Sequence, residues 1–408
     1  MRATGLVGFG DADAFYSSAE VVRRPWLEGL PLGVCGNQGA CVIARSYAMK
    51  KYGVKVGEPI WEAKVKCPHG IYLKRDFRWY ESLSRKMLDE LSGFSPRIEY
   101  HSIDEFFWTA EPTHPTWKET AVAVQQHIRK RVGVPMTVAY GRTRTLAKLF
   151  ADASKPNGAV AITDPAEEEA LLAKLPVTEI AGIAKRRAAR LAPFGIRTCL
   201  ELRQANGILV RKLLSVAGQD LWLELNGVKA TPIRPQRTPH KMISRGGSLA
   251  GRVRDPFTLY GWLVRNVERL IEELHYHGVR TRTLVLYLSY HEDDGASGAV
   301  NLNVPTADFA TLLEAAKVAL RQAWRQGSVA THMHLIATEL VRPGGWQRGL
   351  FDEVESERAE SLSRLKFEVN RCFGRFKLRS GATLYANDFY DDPANNYDVC
   401  DIRGKFCF

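Results

Sequence analysis

Short apolar runs alternate with amphipathic stretches along the first part of the chain. "LVGFG" (6–10) reads as a strand that ends at Asp11, "PMTVAYG" (135–141) as another, and 98–108 within "IEYHSIDEFFWTA" as a third. Between them Tyr80, Leu83, Met87 and Leu91 recur at i, i+3, i+7 and i+11, which predicts a helix over 79–93. Alternation of this kind predicts a mixed sheet with helices laid on it. Residues 22–75 interrupt the pattern with their own Gly, Pro and basic residues and read as an insertion after the first strand.

Residues 166–231 are mostly helical in pattern, through "PAEEEALLAKL", "AKRRAARLAPFG" and "VRKLLSVAG". The Pro- and Arg-rich stretch "TPIRPQRTPH" (231–240) then makes a linker. Beyond it the pattern predicts a strand (241–249), a helix (257–277, with Leu263, Val267, Leu270 and Leu274 on one stripe) and the strand "RTLVLYLSY". The strand "VNLNV", a helix (307–325) capped by Thr306 and the strand "HLIATELV" follow. The order βαββαβ describes a small α/β domain. The last sixty or so residues are weakly patterned; Leu362, Leu365 and Val369 suggest one short helix.

Composition narrows the class. At 408 residues, with 45% apolar and 25% charged positions, the chain reads as a soluble protein of several domains. No stretch is long and apolar enough to span a bilayer, and the N-terminus lacks a signal-peptide pattern, so a cytoplasmic protein with no membrane partner is expected. A net charge of +12 points to a polyanionic partner, nucleic acid first. The seven cysteines form no CxxC pair and read as reduced thiols rather than a disulfide frame or zinc site.

Two carboxylates, Asp104 and Glu105, stand inside an apolar and aromatic run where unpartnered charge is costly. Neighbours in a regular strand point to opposite faces, so the two share a ligand only where the strand ends or bends. Asp11 ends the first strand. Three carboxylates at the tip of one sheet would repel one another unless cations filled the space, and two Mg²⁺ ions roughly 4 Å apart would balance them. Ordinary turn acids at strand ends fit the same spacing.

The surrounding residues decide between the two. "DADAFYSSAE" (11–20) together with "SIDE" (102–105) resembles the Y-family DNA polymerases, which copy across damaged DNA. "CVIARSYAMKKYGVKVGEPIWEAK" (41–64) is similar to that family's fingers segment, with "CVIAR" nearest to UmuC-type members. "TVAYGRTRTLAKLFADASKPNG" (137–158) resembles its late palm, and "TEIAGIAKRRAARLAPFGI" (178–196) the helix-hairpin-helix of its thumb. The resemblance covers roughly residues 5–351. It implies an α+β, multidomain right-hand polymerase fold. The divisions would be palm (1–16 and 76–165), fingers (17–75), thumb (166–232), linker (233–240), βαββαβ little finger (241–342), and a clamp-binding motif with a tail (343–408).

The same resemblance implies roles. Asp11, Asp104 and Glu105 would be catalytic carboxylates holding two Mg²⁺, with the backbone carbonyl of Ala12 a further ligand and Asp13 structural. Phe15 and Tyr16 would face the nucleotide, Tyr16 as a steric gate whose ring fills the space of a ribose 2′-hydroxyl. Tyr47, Lys50 and Lys155 would bind the triphosphate; Lys50 replaces the arginine many members carry, giving a point charge without a bidentate fork. Gly182, Ile183 and Lys185 would meet a DNA phosphate, although Ala184 replaces the usual second glycine of the hairpin. Arg245, Arg252, Arg280 and Arg282 would face the duplex backbone. "QRGLF" fits the QxxLF pattern, so Gln347, Leu350 and Phe351 would dock on the bacterial β sliding clamp.

The expected partners are therefore primer-template DNA, deoxynucleoside triphosphates and the clamp, in a setting of SOS-type damage response and mutagenesis. Two readings from other classes stand beside this one. A polymerase-like scaffold that recruits another polymerase would have lost the metal acids, and here all three are present. A two-metal nuclease or cyclase would have no use for the Phe15–Tyr16 pair or the helical hairpin.

Overall fold

The computed structural model describes residues 5–36, 41–236, 239–292, 294–342, 344–346, 357–374 and 376–386. It divides into two units, Met1–Arg237 (with Asp398–Phe408) and Thr238–Tyr397, and the boundary falls inside the Pro- and Arg-rich stretch.

The first unit runs β1 (Val7–Ala12), α1 (Phe15–Arg23), β2 (Leu32–Cys35), β3 (Val42–Arg45), α2 (Tyr47–Lys50), α3 (Ile60–Lys66), β4 (Ile71–Lys74) and α4 (Phe77–Ser92). It continues with β5 (Ile98–Tyr100), β6 (Glu105–Thr109), α5 (Trp117–Val132), β7 (Met136–Gly141), α6 (Arg144–Ser154) and β8 (Ala159–Ala161). Four helices complete it: α7 (Pro165–Lys174), α8 (Lys185–Leu191), α9 (Cys199–Gln204) and α10 (Gly207–Leu225).

Its main sheet has the order β5-β6-β1-β7-β8, so β1 is the central strand and is antiparallel to both neighbours. The glycines of "VGFGDA" let that centre close. A Cβ at Gly8 would fall 2.2 Å from the Trp108 ring, and one at Gly10 would fall 2.9 Å from Met136 Sδ. On the other face Val7 and Phe9 join Phe107, Leu146 and Phe150 in a core that runs on into Leu172, Ile183, Leu191 and Leu214. The helices after the sheet are thus packed on it through α6. Helix α10 bends at Ser215 (φ 68°, ψ −170°).

One expectation changes here. The run 98–108 is not one strand but a hairpin, because His101 N and Ser102 N both donate to Glu105 O at 2.9 and 3.1 Å and reverse the chain. The insertion at 22–75 has a small sheet of its own, β3-β2-β4, over a core of Val42, Met49, Val54, Ala63 and Cys67.

The second unit holds β9 (Ile243–Val253), α11 (Pro256–Tyr276), β10 (Arg280–Tyr290), β11 (Ala296–Thr306), α12 (Phe309–Ala323) and β12 (Ala330–Val341), then α13 (Glu357–Phe373). Its sheet has the order β11-β10-β12-β9, antiparallel throughout. Leu284, Leu286 and Leu288 alternate into a core shared with Leu263, Val267 and Leu270 of α11 and Leu312, Ala316 and Ala319 of α12. Helix α12 is capped by Asp308, which accepts from Thr311 N at 2.9 Å, and not by Thr306, whose hydroxyl accepts from Asp308 N two residues on. The helix expected from Leu362, Leu365 and Val369 is α13, yet Leu362 and Leu365 are exposed. Contacts that attach it include Lys366 Nζ to Glu268 Oε1 at 2.6 Å, Ser363 Oγ to Asp308 Oδ1 at 3.2 Å and the Phe367 ring 5.6 Å from that of His275. Among the described residues no helix is long and apolar enough to cross a membrane. Gln347, Leu350 and Phe351 lie outside the described residues.

Candidate active site

The register of β1 with β6 sets Asp11 directly opposite Glu105. Residues so paired share a face of the sheet, with Cβ atoms roughly 5 Å apart. The 101–104 turn brings in the third acid, since Asp104 O accepts from Ala12 N at 2.9 Å. Three acids from two separated segments therefore meet at one strand tip. They line a cleft of about 720 Å³ together with Ala12, Phe15, Tyr16, Tyr47, Lys50 and Lys155. All nine residues expected at a metal and nucleotide site are gathered there.

The acids are held by partners. Asp11 Oδ2 accepts from Lys155 Nζ at 2.5 Å, and the same ammonium reaches Asp152 Oδ1 at 3.0 Å. Lys148 donates to Glu105, and Ser102 Oγ donates to Asp104 Oδ1 at 2.6 Å. Burial raises the pKa of Asp11 above its ordinary range, with Lys155 opposing and Asp104 and Glu105 adding to the rise. Burial likewise raises Asp104, against the Ser102 hydrogen bond. Burial also disfavours charge on Glu105, but the Lys148 ammonium outweighs it and holds that carboxyl below its usual range.

The donor set, three carboxylates beside a strand-end carbonyl, is that of a hard divalent cation. As the side chains lie, no group of three His, Cys, Asp or Glu among the described residues is arranged to hold an ion. Two lysine ammoniums occupy the cationic role. Three carboxylates are set against these two ammoniums, and with that oxygen donor set the residues fit a divalent metal.

Around the acids, Tyr16 is buried in the first turn of α1 and stacks on Tyr80 (4.7 Å, 17°) with Phe77 at its edge (5.6 Å). Tyr47 Oη donates to Asp13 Oδ1 at 3.4 Å, and Lys50 Nζ stands 5.9 Å over the Tyr47 ring. Asp13 also accepts from Thr137 Oγ1 at 2.9 Å and Asn157 N at 2.7 Å, so it ties β1, β7 and the 155–158 turn together. Sequence reasoning missed Lys148, Asp152, and the Glu99–His101 pair beside Glu105. Lys148, Asp152 and Lys155 are spaced i, i+4, i+7 along α6 and its end, a signal for one shared helix face. His101 lies 3.7 Å from Glu105 Oε2 and 3.6 Å from Glu99 Oε1.

Further along the first unit Gly182 has φ 97°, Arg187 Nη1 donates to its carbonyl at 2.8 Å, Ile183 is buried in the core, and exposed Lys185 opens α8. In the second unit Arg252 is exposed against His291, and Arg282 is exposed 4.7 Å over the Trp346 ring. Arg280 is half-buried at the start of β10. Arg245 differs from the other three. It shares strand parity with Ile243, points into the helical layer, and pairs with Glu273 of α11.

Two models of the impB/mucB/samB family match the chain, the family itself over residues 10–152 and its C-terminal domain over 240–350. The chain belongs to this family, the Y-family DNA polymerases. Among its relatives, DNA polymerase IV 1 of Bacillus subtilis is 28% identical over 382 residues, covering 92% of each chain. Protein UmuC of Salmonella typhimurium is 28% identical over 361 residues, 84% of this chain and 85% of that one. DNA polymerase IV 2 of Mesorhizobium japonicum is 36% identical over 225 residues, 54% of this chain and 53% of that one. A solved Y-family DNA polymerase chimera, Dbh-Dpo4(243-245)-Dbh, matches with a TM-score of 0.69 at 24% identity, covering 83% of this chain and 99% of that one, a likeness of fold.

Proposed function

We propose that this family member is a template-directed DNA polymerase of the translesion class, adding deoxynucleotides to a primer 3′ end. The observation that carries the reading is the convergence of Asp11, Asp104 and Glu105 in the cleft that also holds Tyr16, Tyr47, Lys50 and Lys155. Asp11, Asp104, Glu105 and the Ala12 carbonyl would hold two Mg²⁺, which when bound lower the barrier to in-line phosphoryl transfer. Tyr47, Lys50 and Lys155 bind the triphosphate. Tyr16, braced by Tyr80 and Phe77, excludes a 2′-hydroxyl.

In this reading the β1 sheet and α4–α6 are the palm (1–16 and 76–165), the small β3-β2-β4 sheet the fingers (17–75), and α7–α10 the thumb (166–232). After a linker (233–240), the βαββαβ unit is the little finger (241–342), and 343–408 carries the clamp-binding motif and tail. Lys185, Arg252 and Arg282 are exposed and suit backbone phosphates, without base readout. Gln347, Leu350 and Phe351 would bind the sliding clamp of a cytoplasmic, damage-induced replication system.

Primer extension with Mg²⁺ on undamaged and abasic templates tests this, comparing wild type with an Asp104→Ala, Glu105→Ala double variant. Template-directed extension by the wild type, lost by on the order of a thousandfold in the variant, is expected. Extension retained by the variant overturns the assignment.

A further inference from the structure

The two lysines on the catalytic acids come from one helix stripe. Lys148 of α6 is also fixed against the Phe9 ring at 4.7 Å, whereas Lys155, just past the helix end, divides itself between Asp11 and Asp152. Each lysine thus neutralises one acid from a different strand. A divalent ion entering this site meets two carboxylates that each already have an ammonium on one oxygen, and it competes with that ammonium for them. Lys155 then has a place to go, since Asp152 keeps it at the cleft and a triphosphate offers stronger acceptors.

We propose that Lys148 and Lys155 are a built-in counter-ion latch. They hold Glu105 and Asp11 in the metal-free protein, metal entry releases Lys155 toward the triphosphate, and metal and nucleotide therefore bind with positive coupling. Lys148, which is not among the residues lining the cleft, acts as a positioning residue for Glu105. The latch rests on the reading of Asp11 and Glu105 as metal ligands. Coupling of this kind is reciprocal, so nucleotide tightens metal by the same factor as metal tightens nucleotide.

The test is Mn²⁺ binding by the full chain without DNA, followed by electron paramagnetic resonance, with and without a saturating non-hydrolysable deoxynucleoside triphosphate. Lys148→Met and Lys155→Met should each tighten Mn²⁺ about threefold or more in the absence of nucleotide, the scale of one partly exposed ion pair. The gain from adding nucleotide should shrink in Lys155→Met. Arg45→Gln removes a charge from the same cleft, where Arg45 donates to the Val54 carbonyl; it should leave Mn²⁺ affinity unchanged. Equal tightening by Arg45→Gln would show a bulk-charge effect and overturn the latch, as would no tightening in either lysine variant. Lys148→Gln replaces Lys148→Met if circular dichroism shows the latter unfolded. Undiminished Mn²⁺ binding by Asp11→Asn would instead remove the metal-ligand reading, a failure separate from that of the latch.

Discussion

Both units bury charge next to a sheet, and they do so in opposite ways. In the second unit Arg245 and Glu273 are one cation and one anion, both nearly inaccessible and matched. At the cleft of the first unit three carboxylates are set together, two of them paired with lysines on flexible stems, one lysine shared with a fourth acid, and the third held by a serine hydroxyl. A matched buried pair is an architectural device whose net worth is small while both partners remain. An unmatched cluster keeps its protons or waits for cations. The difference separates a structural charge from a functional one more sharply than burial alone does.

The comparison breaks most visibly at Arg245. Arg245→Met should destabilise the second unit by about 3–5 kcal/mol, because buried Glu273 loses its guanidinium partner, while the double change with Glu273→Leu recovers most of the loss. Thermal unfolding of the variants measures this. A loss of DNA affinity without destabilisation would return Arg245 to the DNA-facing set.

Tyr16→Ala should leave deoxynucleotide addition largely intact and raise relative ribonucleotide use by roughly 10–100-fold. Single-nucleotide incorporation kinetics with both sugars decide it. Unchanged sugar selection removes Tyr16 from the gate role.

Glu99 stands between the two kinds of charge. Burial opposes its ionisation, but His101, Arg144 and the Arg234 amide hold its pKa at about 2, against an ordinary 4.5. Because the folded value is depressed, its stabilisation is present above pH 4.5 and fades as pH falls toward about 2. Glu99→Gln should therefore cost about 1–3 kcal/mol at neutral pH, and the gap between variant and wild type should close on acidification through that window. Denaturant titrations at several pH values test both halves.

The smallest effect belongs to the surface. Arg282→Ala should weaken DNA binding evenly across sequences and reduce the salt-dependence slope by about one. A sequence-dependent loss would mean that it reads bases.

Much of this molecule follows from local sequence. The stripe Tyr80, Leu83, Met87, Leu91 is a helix with all four side chains buried, and the βαββαβ order of the second unit follows from alternation and helix periodicity. The residue types of the cleft were legible because a short motif carries them. Tertiary pairing decided the rest. The apolar pattern of 98–108 does not announce a hairpin; the backbone bonds of the turn, together with the pairing of Glu105 with Asp11, form it. Lys148 lies 43 residues from Glu105 and Lys155 144 residues from Asp11, in and just past α6, so their partners depend on how that helix packs. Arg245 faces helices because its parity in β9 is set by pairing with β12, and one step of register turns every side chain of a strand to the other face. Propensity and periodicity act over a few residues and are written in the chain. Register and charge pairing are set between distant segments, and only folding chooses them.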